Sequence, residues 1–152
     1  MSLQAANTSE NEYLIHKAIA SGINYFDTAD LYDFGQNEEV IGAVIRKKRN
    51  DIFLATKVGN KMNPTEQTWT WDPSRKHIME GVKESLRRLG TDYIDLYQLH
   101  GGTIEDNTEE TIDAFEQLKK EGIIRAYGIS SIRPNVIHRF LETSAIDSIM
   151  MQ

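Results

Sequence analysis

The chain has 152 residues, no cysteine and a formal net charge of −6 at pH 7, and its length suits one ordinary domain. Hydrophobic residues make up 39% and charged residues 26%, a balance typical of globular proteins and not of disordered ones. The acidic balance argues against a nucleic-acid-binding surface, and the lack of cysteine excludes disulfides, thiolate metal sites and cysteine nucleophiles.

The compartment can also be predicted from composition. No apolar run approaches the roughly 20 residues of a membrane span, and no N-terminal stretch has the pattern of a secretion signal. A chain without cysteine fits a reducing compartment. We therefore expect a cytoplasmic protein with no membrane partner.

The first half of the chain alternates helix-like and strand-like segments. Apolar residues at helical spacing predict helices over 10–21 and 38–48. Short apolar runs over 23–26 and 51–57 predict buried strands. Gly22 offers a left-handed residue that ends the first helix.

The second half continues this alternation. Asp72 as the cap and Pro73 in the first turn predict a helix that runs to about Leu89 and ends at Gly90. The remaining predicted elements are a strand over 93–99, a helix from Thr108 to Gly122, a strand over 123–130, a helix from Pro134 to about Leu141 and a strand over 147–152.

Five strands that alternate with five helices are typical of βαβ units and a parallel sheet. A doubly wound sheet would usually carry a glycine-rich nucleotide turn, and the sequence has neither G-x-G-x-x-G nor a P-loop. A (β/α)8 barrel needs no such turn, and its catalytic residues come from the ends of several strands. The sequence therefore favours an α/β fold of the (β/α)8 TIM-barrel type, in a single domain over residues 1–152.

Each predicted strand ends on a polar residue that is unsuited to a core. Taken alone, each residue has an ordinary structural explanation. An aspartate after a strand usually caps a turn, a lysine usually faces water, and a single histidine usually packs against its neighbours or is solvated. Together they should converge, because the carboxyl ends of parallel strands lie on one face of the sheet. These residues are Asp27, Lys57, His100, Ser130, Ser131 and Gln152.

The histidines and the two tryptophans have other possible roles. No two histidines have the i, i+4 spacing of a helical metal pair, so we predict no metal site. Trp69 and Trp71 lie in the loop predicted after the second strand, on the face of the expected site. They either wall a substrate pocket or only pin the loop to the barrel, and the sequence leaves both interpretations open.

Five segments carry motifs in a fixed order along the chain. They are GINYFDTADLY over 22–32, GQNEEVIG over 35–42, ATK over 55–57, DYIDLYQLH over 92–100 and GIIRAYGIS over 122–130. In this order they resemble the signature motifs of the aldo-keto reductase superfamily. The match spans residues 22–131, which makes it more specific than any one motif.

The resemblance implies NADPH-dependent reduction of an aldehyde or ketone, a small carbonyl substrate, to an alcohol. Its four catalytic positions match Asp27, Tyr32, Lys57 and His100. Its cofactor-binding positions match Asp27, Ser130, Ser131 and Gln152, and Ser131 stands where the family usually has asparagine.

The implied chemistry is consistent from first principles. The alkoxide that forms needs a proton, for which Tyr32 is the candidate donor. A free phenol has a pKa of about 10, and a neighbouring ammonium group favours its ionised form. Lys57 is the candidate ammonium, Asp27 would orient it, and His100 would hydrogen-bond the carbonyl.

The length limits this interpretation. A complete (β/α)8 barrel has about 250 residues, so the resemblance implies a partial barrel that covers about strands 2–6. Two interpretations remain. In the first, the chain is part of an NADPH-dependent carbonyl reductase. In the second, it is a non-catalytic fragment, or an assembly or binding protein with barrel ancestry. A partial barrel has two open sheet edges, so we expect a homo-oligomer.

Overall fold

The computed structural model describes residues 8–63 and 65–151, so the role expected of Gln152 lies outside the described residues. Its elements, in chain order, are α1 (Thr8–Ala20), β1 (Tyr25–Asp27), α2 (Gln36–Ile45), β2 (Phe53–Val58), β3 (Asn60–Asn63), β4 (Thr68–Trp71), α3 (Arg75–Leu89), β5 (Ile94–His100), α4 (Thr108–Lys120), β6 (Ile124–Ser130), α5 (Pro134–Thr143) and β7 (Ser148–Met150). Two 3-10 turns, Tyr32–Gly35 and Arg46–Asp51, flank α2.

The main sheet has five strands in the order β1-β2-β5-β6-β7, and every neighbouring pair is parallel. The order follows the chain without reversal. A doubly wound sheet reverses its strand order at a switch point, whereas a barrel adds each strand beside the preceding one. The topology is therefore that of a barrel segment.

The register of the sheet brings the predicted polar residues to one rim. Lys57 pairs with Gln98 across β2 and β5, and His100 pairs with Ser130 across β5 and β6. Asp27, the last residue of β1, pairs with Ala55, two residues before Lys57. The polar residues that end successive strands thus lie side by side.

The boundaries of α3 correct one sequence-based prediction. We expected Asp72 to be the cap, but Ser74 is the N-cap, and its Oγ accepts from the His77 amide at 3.3 Å. Asp72 instead accepts a hydrogen bond from the Ser74 amide at 3.1 Å. Gly90 ends the helix with a φ of 64°, in agreement with the prediction.

Two apolar clusters hold the helices against the sheet. The larger lies among β5, β6 and α3–α5, and its buried side chains include Ile78, Tyr97, Phe115 and Tyr127. The smaller joins α1 and α2 to β2 and includes Ile15, Val40, Ile41, Val44, Ile45, Ile52, Leu54 and Leu89. Within the described ranges, none of the helices combines the length and apolar character needed to span a bilayer.

The segment predicted as a loop after the second strand contains a hairpin. Strands β3 and β4 pair antiparallel, with Asn60 opposite Trp71 and Met62 opposite Trp69. The hairpin follows the end of β2 directly. It therefore lies at the carboxyl-end rim, where the polar residues of the sheet converge.

Candidate active site

Lys57 lies at the centre of the rim. Its Nζ donates to Oδ1 of Asp27 at 2.5 Å and to the carbonyl oxygen of Thr28 at 2.8 Å. Lys57 is fully buried, and a buried ammonium is tolerated only when it is paired and hydrogen-bonded. The carboxylate of Asp27 and the Thr28 carbonyl meet that requirement.

Tyr32 approaches the same ammonium group from the turn after β1. Its hydroxyl lies 3.5 Å from Nζ of Lys57, while the residue as a whole is 38% exposed. The next two residues, Asp33 and Phe34, have positive φ angles of 48° and 52°. Left-handed backbone is unfavourable for residues other than glycine, and such strain clusters at functional sites. The strained turn therefore places the Tyr32 hydroxyl next to the buried Lys57 and leaves Tyr32 accessible to solvent.

His100 completes the cluster from the end of β5. Its ring meets the Tyr32 ring edge-on, with centroids 5.7 Å apart and an interplanar angle of 85°. Burial, and then the positive charge of Lys57, lower the pKa of His100 to about 4. The imidazole is therefore neutral at pH 7 and has one N–H to donate.

Ser130 and Ser131 lie beside His100. A cavity of about 220 Å³ is lined by His100, the two serines and Arg133, among others. Oγ of Ser131 accepts from the Arg133 amide at 3.2 Å. Serine hydroxyls both donate and accept hydrogen bonds, so these side chains fit a carboxamide group such as that of a nicotinamide.

A buried polar cluster behind β2 was not identified from the sequence as part of the site. Glu38 accepts hydrogen bonds from Thr56 and from Arg88, both at 2.6 Å. The first of these bonds holds Thr56, which directly precedes Lys57. Asp30 is buried beside Glu38, and its Oδ1 has no hydrogen-bond partner within 8–63 and 65–151. Burial, followed by the charge of Glu38, raises the pKa of Asp30 to about 7.

An apolar groove of about 700 Å³ opens along the edge of β1 with which no described strand pairs. Its lining includes Leu14 of α1, Phe26 and Ile41, and it reaches the site at Asp27 and Tyr32. No group of three or more acidic or histidine residues in 8–63 and 65–151 is arranged to hold a metal ion.

The structure therefore brings six of the seven predicted site residues to one rim, with Gln152 outside the described residues. The ammonium group of Lys57 contacts both Asp27 and the Tyr32 hydroxyl, and the rings of Tyr32 and His100 pack edge-on. Glu38 and Asp30 were missed: Glu38 finds its partners Thr56 and Arg88 at positions 18 and 50 residues further along the chain, and the burial of Asp30 follows from that packing. The alternating Thr-Trp-Thr-Trp of 68–71 was the available signal for the hairpin.

The sequence model of the Aldo/keto reductase family matches residues 1–152, and the chain belongs to this family. It is 62% identical over 147 residues to the uncharacterized oxidoreductase YqkF of Bacillus subtilis, covering 95% of this chain and 48% of that protein. It is 36% identical over 113 residues to a probable voltage-gated potassium channel subunit beta of Arabidopsis thaliana, covering 72% of this chain and 33% of that protein.

Solved structures agree with the fold. The holo form of aldo-keto reductase AKR11C1 from Bacillus halodurans superposes with a TM-score of 0.97 at 57% identity, covering 99% of this chain and 50% of that one. An aldo/keto reductase from Klebsiella pneumoniae in complex with NADP and acetate gives 0.78 at 32% identity, covering 95% and 47%. The chain thus spans about half the length of the relatives it matches, and the predicted partial (β/α)8 barrel is confirmed.

Proposed function

We propose that this chain supplies the catalytic residues of an NADPH-dependent aldo-keto reductase, which reduces an aldehyde or ketone to an alcohol. The observation that supports this is the position of one ammonium group. Nζ of Lys57 is bound to Asp27 and lies 3.5 Å from the hydroxyl of Tyr32, whose ring meets His100. Family membership and the oxidoreductase relatives agree with this assignment.

In the proposed mechanism, Tyr32 donates the proton to the carbonyl oxygen of the substrate. The ammonium of Lys57 stabilises the phenolate that remains, and Asp27 holds that ammonium in place through its hydrogen bond. Neutral His100 donates one hydrogen bond to the same carbonyl oxygen and orients it. The half-exposed Tyr32 ring is accessible to substrate, whereas buried Lys57 is shielded from water.

We propose that Ser130 and Ser131, with Asp27 and Gln152, hold the nicotinamide end of NADPH. The cavity beside His100 and the hydroxyls that line it fit a carboxamide. When bound, the reduced nicotinamide supplies a hydride to the carbonyl carbon. The loss of NADP(H) affinity on Ser130→Ala would support this placement.

The test is turnover of an aldehyde, followed by NADPH absorbance. If the chain turns over, Tyr32→Phe should lose at least about a hundredfold in rate, the lower range for loss of a general acid. Tyr13→Phe, on the exposed face of α1, is the matched control and should keep full activity. A folded chain that neither binds NADPH nor turns over would overturn the proposal for this chain.

A second candidate function is that of a non-catalytic fragment or an assembly subunit with barrel ancestry. Two observations favour it: the similarity to a potassium channel subunit beta, and the half-length match to the relatives. The two candidates differ in the effect of Tyr32→Phe. An assembly role would leave partner binding unchanged in that variant, whereas the reductase would lose its activity.

Some further properties belong to the same proposal. The chain acts as a single partial-barrel domain over 1–152 in the cytoplasm, where the absence of cysteine suits a reducing environment. Its net charge of −6 disfavours nucleic acid. It forms a homo-oligomer through its sheet edges, since the groove beside β1 and the outer edge of β7 are open among the described strands.

A further inference from the structure

We propose that the β3–β4 hairpin is a positioning element for His100, with Asn60 and Trp71 as its two points of attachment. The consequence for catalysis rests on the proposed function, because it assumes that His100 orients a carbonyl group. The consequence for the His100 ring itself does not depend on turnover.

Among the described residues, none makes a hydrogen bond to the His100 ring. Its Nδ1 is buried and has no hydrogen-bond partner, and its described ring contact is the edge-on packing with Tyr32. A side chain without a hydrogen bond keeps its orientation through packing and through the position of its own backbone. The groups that hold the backbone around residue 100 therefore decide where the ring lies.

Asn60 makes the first attachment. Its side chain is buried, and its Nδ2 donates to the carbonyl oxygen of His100 at 3.3 Å. On the other side of His100, the strand pairs with Ser130 of β6. The amide of Asp72 donates to the carbonyl of Gly59 at 2.9 Å and closes the base of the hairpin. The His100 backbone is thus held between β6 and the hairpin.

Trp71 makes the second attachment, to the loop that follows His100. A Cβ atom on Gly101 would lie 3.1 Å from the Trp71 ring, and one on Gly59 would lie 2.7 Å from it. Nε1 of Trp71 donates to both carboxylate oxygens of Asp106, at 3.0 and 3.1 Å. Asp106 also accepts from the amide and hydroxyl of Thr103, at 2.6 and 2.8 Å.

These contacts decide the open question about Trp71. Its indole packs against two glycine positions and hydrogen-bonds a loop carboxylate, so it pins the hairpin to the loop after β5. Trp69 lies two residues earlier on the same strand face and is 53% exposed. Trp69 is therefore a matched control: an indole on the same hairpin that makes no hydrogen bond to the loop.

The charged and titratable groups around His100 come from four elements. Lys57 of β2, Asp27 of β1 and Tyr32 of the 3-10 turn form the cluster, and Arg133 lines the adjoining cavity. The charged residues of the hairpin, Lys61 and Glu66, are exposed, and the charge that acts on the pKa of His100 is that of Lys57. Loosening it would let water reach the imidazole, which favours the protonated ring.

The experiment is an NMR titration of the His100 ring between pH 5 and 8 in the full chain. In the native protein the ring should stay neutral throughout. In Asn60→Ala and Trp71→Phe, we expect the apparent pKa to rise by about one unit or more toward 6.5. Asp106→Asn keeps an acceptor for Trp71 and should titrate like the native chain, whereas Asp106→Ala should behave like Trp71→Phe. The Trp69→Phe control should not change.

The activity arm separates the two proposals. If the chain turns over, Asn60→Ala and Trp71→Phe should lower kcat by about tenfold to a hundredfold with less effect on KM, since the groups around the reacting carbonyl are misplaced. Altered titration in a chain without turnover would support the positioning role and contradict the proposed function. Unchanged titration in folded Asn60→Ala and Trp71→Phe, or an equal shift in Trp69→Phe, would overturn the positioning role.

Discussion

Nζ of Lys57 lies 2.5 Å from Oδ1 of Asp27, although the two residues are separated by 30 positions and belong to neighbouring strands. The two side chains differ in burial. The lysine side chain is 1% exposed, whereas that of Asp27 is 27% exposed and reaches the groove beside β1. The ammonium group therefore depends on a partner that is itself partly open to solvent.

This dependence predicts an asymmetry between two variants. Asp27→Ala should destabilise the chain by about 3 kcal/mol, near the lower end for a broken buried pair, because it leaves the Lys57 charge with two uncharged partners, the Thr28 carbonyl and the Tyr32 hydroxyl. Lys57→Met leaves the Asp27 carboxylate, whose side chain is 27% exposed and can be solvated, so it should cost less than Asp27→Ala. Urea unfolding of both variants, with the exposed Glu39→Ala as control, measures the difference. Equal stability of the two variants would contradict the asymmetry.

Asp95 lies near the start of β5, at the end of the sheet away from the candidate site, so its substitution should affect stability alone. Its carboxylate accepts from Arg49 at 2.7 Å, from Arg125 at 3.0 Å and from the Leu54 amide at 3.0 Å. Asp95→Ala should cost about 3–5 kcal/mol, because it removes the carboxylate partner of Arg49, whose side chain is only 10% exposed, and frees an amide of β2. The exposed Asp92→Ala should change the free energy of unfolding by less than about 0.5 kcal/mol. Thermal and urea unfolding of both variants provide the comparison.

Much of the fold could be predicted from local sequence patterns. Helices that end at Gly22, Gly90 and Gly122 before apolar strands indicated an α/β alternation, and the structure has left-handed glycines at all three positions. The convergence of Asp27 and Lys57 followed from topology alone, because parallel strands end on one face. Periodicity and strand direction require no knowledge of distant contacts.

Contacts between distant segments could not be predicted in this way. Glu38 and Arg88 are 50 residues apart and meet only because α2 packs on α3. Trp71 and Asp106 are 35 residues apart and meet because the hairpin folds onto the loop after β5. Each of these residues has an ordinary surface role in the local pattern, so only the tertiary packing identifies its partner.

The open sheet edges predict self-association. Ile149 of β7 is 43% exposed, and β7 pairs only with β6 among the described strands. Unpaired edge strands associate unless a charge or proline protects them. We expect sedimentation at micromolar concentration to give a species larger than a monomer, and Ile149→Lys to shift it toward the monomer. Leu141→Lys, on an exposed site of α5, should have no such effect. A compact monomer of the native chain would contradict this prediction.

Asp30 predicts the sign of a pH effect on stability. Burial and the charge of Glu38 raise the pKa of Asp30 from its ordinary value of 3.8 to about 7. Between these values the folded chain keeps a proton that the unfolded chain releases, so the contribution of Asp30 to stability falls as pH rises, by at most about 1.4 kcal/mol per pH unit. The lowered pKa of His100 acts in the opposite direction between about 4 and 6.5, because there the unfolded chain binds the extra proton.

Asp30→Asn isolates the contribution of this carboxyl group, because the amide resembles the protonated acid and does not titrate. The free energy of unfolding of the variant minus that of the native chain should therefore increase from pH 5 to pH 8, by on the order of 1–3 kcal/mol. Urea unfolding at both pH values measures this difference, with the exposed Asp113→Asn as control. The same pH dependence in Asp30→Asn and in the native chain would show that the folded carboxyl group is ionised at pH 5, which would place its pKa near the ordinary value.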